Sequence, residues 1–122
     1  MLIILVLNQA DKNKNPADPE NENNIAVKKW LDTQANGIAV QSRLSLFLLD
    51  EKPPESNHAQ RNELLLVDRS PINQRIPDDE GVGLARKIAA DIALSLYANN
   101  ILKTPWFFST DADVTLPNNY FS

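Results

Sequence analysis

Apolar residues fall in compact blocks set between long polar stretches. Residues 2–7 (LIILVL) form an unbroken apolar run without alternation, the pattern of a strand covered on both faces. Residues 8–23 are rich in Asn, Asp, Lys and Pro, which predicts a loop at that strand's C-terminal end. Val27, Trp30 and Leu31 recur at helical spacing and predict a helix over about 25–35, with Lys28, Lys29 and Asp32 outside the apolar face. Asn23 or Asn24 would cap it and Asn36-Gly37 would end it. Residues 44–49 (LSLFLL) read as a second strand ending in Asp50, and residues 64–67 as a third running into Asp68. Ala85, Ile88, Ala89, Ile92, Ala93 and Leu96 make the buried stripe of a long helix over about 82–98. Asp78 or Asp79 would cap that helix, and Asn99-Asn100 would close it. Residues 106–109 predict a fourth strand leading into Asp111-Ala112-Asp113.

Strands without alternation, separated by helical segments, predict an α/β fold: a mainly parallel sheet of about four strands flanked by helices, in a single domain over 1–122. Ligands of such sheets bind beyond the strands' C-terminal ends. Asn8, Asp50, Asp68, Asp111 and Asp113 would gather at that edge.

Composition narrows the function. With 122 residues, 43% hydrophobic and 23% charged, the chain can bury one moderate core. A net charge of −4, with no block of Lys or Arg, argues against a nucleic-acid partner. The absence of cysteine rules out disulfides and thiolate metal sites, and a cytoplasmic location is expected. The first apolar run is too short for a membrane span and lacks a basic start.

The Asp111/Asp113 pair is the strongest chemical signal. Two carboxylates one residue apart repel each other, and a divalent cation with oxygen ligands removes that conflict. Gly81-x-Gly83 lacks the third glycine of a dinucleotide fingerprint and reads as a helix start. Arg86, outside the apolar stripe, could reach a diphosphate at the sheet edge. His58 lies in a polar stretch and reads as solvated, while Trp30 and Trp106 read as core residues.

The segment GVGLARKIAADIALSLYANNILKTPWFFSTDADV resembles the central part of family 2-like glycosyltransferases of the GT-A fold. In that family a glycine-containing loop precedes an Ala-Arg-Asn helix, and the next strand ends in Asp-x-Asp. Ala85-Arg86-Lys87 and Asp111-Ala112-Asp113 are similar here, LIILVLN resembles the first strand, and LSLFLLD resembles the second. The resemblance implies the Rossmann-like, nucleotide-sugar-binding half of a hexosyltransferase. Asp111 and Asp113 would hold Mn²⁺ or Mg²⁺ against the diphosphate, Arg86 would support it, and Asp50 would read the base. Lys87 stands where the family has Asn, and the Pro-x-Tyr-Asn pattern is reduced to Leu5-Val6-Leu7-Asn8. Nine residues follow Asp113, so an acceptor-binding half would have to come from elsewhere, and no turnover by this stretch alone is expected. Association with that half, or with further copies through residues 106–108, follows as an expectation. Two other readings use the same residues. One is a non-catalytic nucleotide, metal or assembly module. The other is a haloacid dehalogenase-like phosphatase, in which Asp111 would be nucleophile and Asp113 general acid.

Overall fold

The computed structural model describes residues 1–9, 19–35, 37–49, 62–111 and 114–118. The chain forms two compact units, Met1–Ala90 and Asp91–Ser122. In chain order the elements are β1 (Leu2–Asn8), α1 (Pro19–Gln34), β2 (Gly37–Gln41), β3 (Leu44–Leu48), β4 (Glu63–Arg69), a 3-10 turn (Ile72–Gln74) and α2 (Gly81–Ala98). The four strands make one open sheet in the order β1-β4-β3-β2. The α/β class expected from the apolar blocks is therefore what forms.

The direction of the strands corrects the sequence expectation. Only β1 and β4 run parallel, from Leu2 opposite Glu63 to Asn8 opposite Arg69. β3 is antiparallel to both β4 and β2, so the described sheet is mostly antiparallel. The cause is β2. Its five residues are all exposed and give no alternating signal, yet they pair with β3 across the tight Ser42–Arg43 turn. A connection that short joins only antiparallel strands.

The core on one sheet face is made by α1. Leu31, wholly buried, meets Leu7, Phe47, Leu64 and Leu66, with Leu5, Val27 and Leu49 around them. Trp30, expected in this core, is 56% exposed. The buried stripe instead runs through Asn24, Val27, Lys28 and Leu31, at i, i+3, i+4 and i+7, with the helix starting at Pro19 rather than near residue 25. Gly37 faces Phe47 across the hairpin, and a Cβ at residue 37 would come within 2.9 Å of the ring. That close approach requires glycine.

α2 follows its predicted stripe: Ala93 is buried, and Ala85, Ile88, Ala89, Ile92 and Leu96 are half-buried. It ends as the Asn pair suggests. Asn100 takes φ 59°, its N–H donates to the Tyr97 carbonyl, and the Ile101 N–H donates to the Leu96 carbonyl at 2.9 Å. These are the two bonds of a Schellman cap.

The fourth strand expected at residues 106–109 does not form. The segment is irregular, and Trp106 is 83% exposed rather than part of a core. A strand needs a neighbour's backbone groups as well as apolar side chains. Here the Trp106 N–H donates locally, to Thr104 Oγ1 at 3.2 Å. No helix among the described residues is long and apolar enough to cross a membrane.

Candidate functional site

The parallel pair brings β1 and β4 to a common C-terminal edge, and the N-terminal half of α1 lies across it. Asn24 is buried there and ties helix to sheet, its Nδ2 donating to the Asn8 carbonyl at 3.0 Å. One turn on, Lys28 Nζ donates to Asp68 Oδ2 at 3.0 Å and to Ser70 Oγ at 3.2 Å. Asp68 Oδ1 accepts from both the Ser70 N–H at 3.0 Å and the Ser70 hydroxyl at 2.6 Å. Arg75 Nε donates to the Ser70 carbonyl at 3.2 Å, which folds residues 70–75 back on the strand end. A shallow depression of about 340 Å³ opens beside this network, between Asn21, Ile25 and Lys28 of α1 and Ser70, Ile72 and Arg75.

Asp68 is the electrostatic centre of the cluster. Burial alone would push its carboxyl up. Hydrogen bonds from the Ser70 hydroxyl and amide, then from Lys28 with its charge, outweigh burial and hold Asp68 below the ordinary value of 3.8. A carboxylate kept ionised in this way is a poor proton acceptor at neutral pH, because a general base works best with a pKa near that pH. It is well suited to recognition, as a fixed acceptor for N–H or O–H donors. The Ser70 hydroxyl is committed as well, donating to Asp68 while accepting from Lys28, so it is no free nucleophile.

By its charge Lys28 belongs outside the apolar face of α1. Its spacing held the contrary signal, since it lies four residues after Asn24 and three before Leu31, on the packed side of α1. Asp68 is legible in the sequence as a strand-end residue at the ligand-binding edge. Of the residues expected in the site, Arg86 is exposed on α2 outside the apolar stripe. Asp111 is exposed after the irregular segment, its carbonyl accepting from the Val114 N–H at 3.3 Å. Arg86 belongs to the first compact unit and Asp111 to the second. Asp50, His58 and Asp113 lie outside the described residues.

One expected grouping changes. β3 runs against β4, so Leu48 lies opposite Glu63 and the Leu49 N–H donates to the Asn62 carbonyl at 2.9 Å. Strand β3 thus ends at the edge opposite Asn8 and Asp68, and the strand leading to Asp50 is not the parallel neighbour of β1. Among the described residues no group of three His, Cys, Asp or Glu side chains is set to hold a metal ion.

Comparison with models of known protein families, with curated proteins and with solved structures gives no match.

Proposed function

We propose that this chain is the nucleotide-sugar-binding part of a GT-A-like glycosyltransferase of the hexosyl-transferring type, acting in the cytoplasm. The observation that carries the reading is the β1–α1–β4 unit. Two parallel apolar strands, with α1 in the connection between them, end at an edge where Asp68 is held ionised. The resemblance implies a strand that ends in an aspartate near the nucleotide base, a role it gives to Asp50. Asp68, at the shared end of β1 and β4, is a second candidate for that role. Asp68 would accept a ring N–H of a base such as uracil or guanine, and Arg86 would support the diphosphate.

Asp111 and Asp113 would hold Mn²⁺ or Mg²⁺. An exposed Asp111 is compatible with a cation that takes one or two carboxylates and completes its shell with phosphate oxygens and water. When bound, the cation would neutralise charge on the departing nucleoside diphosphate.

The test is calorimetric titration of uridine and guanosine diphosphates, with and without Mn²⁺. Metal-dependent binding to the wild type, lost in Asp111→Ala/Asp113→Ala and weakened about tenfold in Asp68→Asn, is the expected result. No metal-dependent binding of either nucleotide would sink the reading.

An assembly role is the second reading, favoured by the exposure of Trp106, Phe107 and Phe108. Large apolar side chains held in water mark a surface for a partner or a second copy. A strictly monomeric mass by light scattering at high concentration would count against self-association.

A further inference from the structure

An open sheet has two edges, and each presents backbone N–H and C=O groups that water or another strand must satisfy. The edges here are β1 and β2. β1 has one exposed residue, Ile3, whereas all five residues of β2 are exposed. Among the described residues β2 pairs only with β3, which leaves its outer side open.

Edge strands commonly carry a charge or a proline that discourages further pairing. β2 (GIAVQ) has neither. Its register shift lies between Ala39 and Gln41, next to the turn, so Gly37, Ile38 and Ala39 pair regularly with β3. Ile38 and Val40 are 53% and 54% exposed. Ile38 stands opposite Leu46, on the sheet face away from Phe47 and α1.

We infer that β2 is a dimer edge, pairing antiparallel with β2 of a second copy about a two-fold axis through Ala39. Such an interface must be complementary to itself, and this strand is. Centred on Ala39, the pairing sets Ile38 of each copy opposite Val40 of the other, and Gly37 opposite Gln41. The exposed β-branched residues then meet in two cross-strand pairs, and no charged residue of the strand meets its like.

Charge selects the same occupant and direction. α1 ends at Gln34, just before β2, without a basic residue in its last turn. Its carbonyl end carries partial negative charge, and Asp32 is exposed beside it. Arg43 is exposed in the turn after β2 and enters no ion pair among the described residues. Antiparallel pairing carries the Arg43 end of each copy toward the α1 end of the other. Parallel pairing would set the two Arg43 side chains at the same end. The inference rests neither on the glycosyltransferase reading nor on Trp106, Phe107 and Phe108.

The experiment joins sedimentation equilibrium to cysteine cross-linking, for which a chain without cysteine gives a clean background. Wild type is expected to form a dimer as concentration rises. Ala39→Cys should give a disulfide-linked dimer in air at least about tenfold faster than Thr33→Cys on the exposed side of α1, because the two-fold pairing brings both Cβ atoms within disulfide reach. Cross-linking at residue 39 should be unchanged by Trp106→Ser, which separates this edge from the exposed rings. Ile38→Lys should weaken dimerisation about tenfold or more, with the fold intact by circular dichroism, since charge on an edge strand opposes pairing. The inference is overturned if wild type stays monomeric at the highest concentration reached, or if Ala39→Cys cross-links no faster than Thr33→Cys. Dimerisation of Ile38→Lys as strong as that of wild type would overturn it too.

Discussion

Two apolar stretches of similar character meet opposite fates. Residues 64–67 (LLLV) are buried throughout in β4. Residues 106–108 (WFF) stand exposed and irregular. Both are strongly apolar and both precede an aspartate within a few residues. The difference lies in neighbours. β4 has β1 on one side and β3 on the other, so its backbone groups are paired while α1 covers one face. Residues 106–108 have no flanking strand among the described residues, and their hydrophobicity alone cannot make one. Apolar content predicts where a strand can be stable. Pairing decides whether it exists.

That contrast can be broken most forcefully in β4. Leu66→Ala removes a side chain 5% exposed from the cluster around Leu31 and Phe47, and should cost about 2–4 kcal/mol in urea unfolding. A loss of a few tenths would mean that the sheet core is not what stabilises this unit.

Next is the hairpin that reverses the sheet's direction. Gly37→Ala sets a Cβ within 2.9 Å of the Phe47 ring and should cost about 1–3 kcal/mol of unfolding free energy. A neutral result would show that the ring gives way, and that glycine is not required at the hairpin.

The strand-end cluster comes third. Lys28→Met should cost about 1 kcal/mol near neutral pH, a figure kept small because Lys28 and Asp68 side chains are 35% and 23% exposed. Its pH dependence follows from the Asp68 carboxyl, which is held below its ordinary value in the folded chain. The stabilisation is present in full above the unfolded value and disappears as pH falls through the lower, folded one. Wild type and Lys28→Met should therefore converge in acid. Curves that stay parallel below the ordinary aspartate range would remove Lys28 from the set of groups that hold Asp68.

The smallest expected effect belongs to the exposed stretch. Trp106→Ser should change stability by no more than about 0.5 kcal/mol, as surface substitutions usually do. The same change should reduce self-association in sedimentation experiments if the exposed rings form an interface. A large loss of stability would mean that residues 106–108 pack in solution after all.

The order of these effects matches what was legible in the chain. β1, β3, β4 and α2 could each be placed from apolar blocks, from the α2 stripe and from Asn99-Asn100, because each signal is local and buried. β2 carried no such signal, since all five of its residues face water and only pairing with β3 makes them a strand. For Lys28 charge is a poor guide, because its angle on the helix sets it on the packed side of α1, against Asp68. The Asp68–Ser70 turn is local and its donors stand two residues away, yet its importance depends on a lysine forty residues distant.

By itself the sequence determined an α/β chain, the strands that lead into Asn8 and Asp68, and the long amphipathic helix with its Asn cap. These follow from residue-level properties: hydrophobic period, capping chemistry and backbone preference. Only the tertiary structure decided which strands are neighbours, and in which direction they run. It also decided that Lys28 reaches Asp68, and that Asn24 ties α1 to the end of β1. Those outcomes belong to pairings between distant segments, where one hydrogen-bond register fixes the positions of many side chains at once.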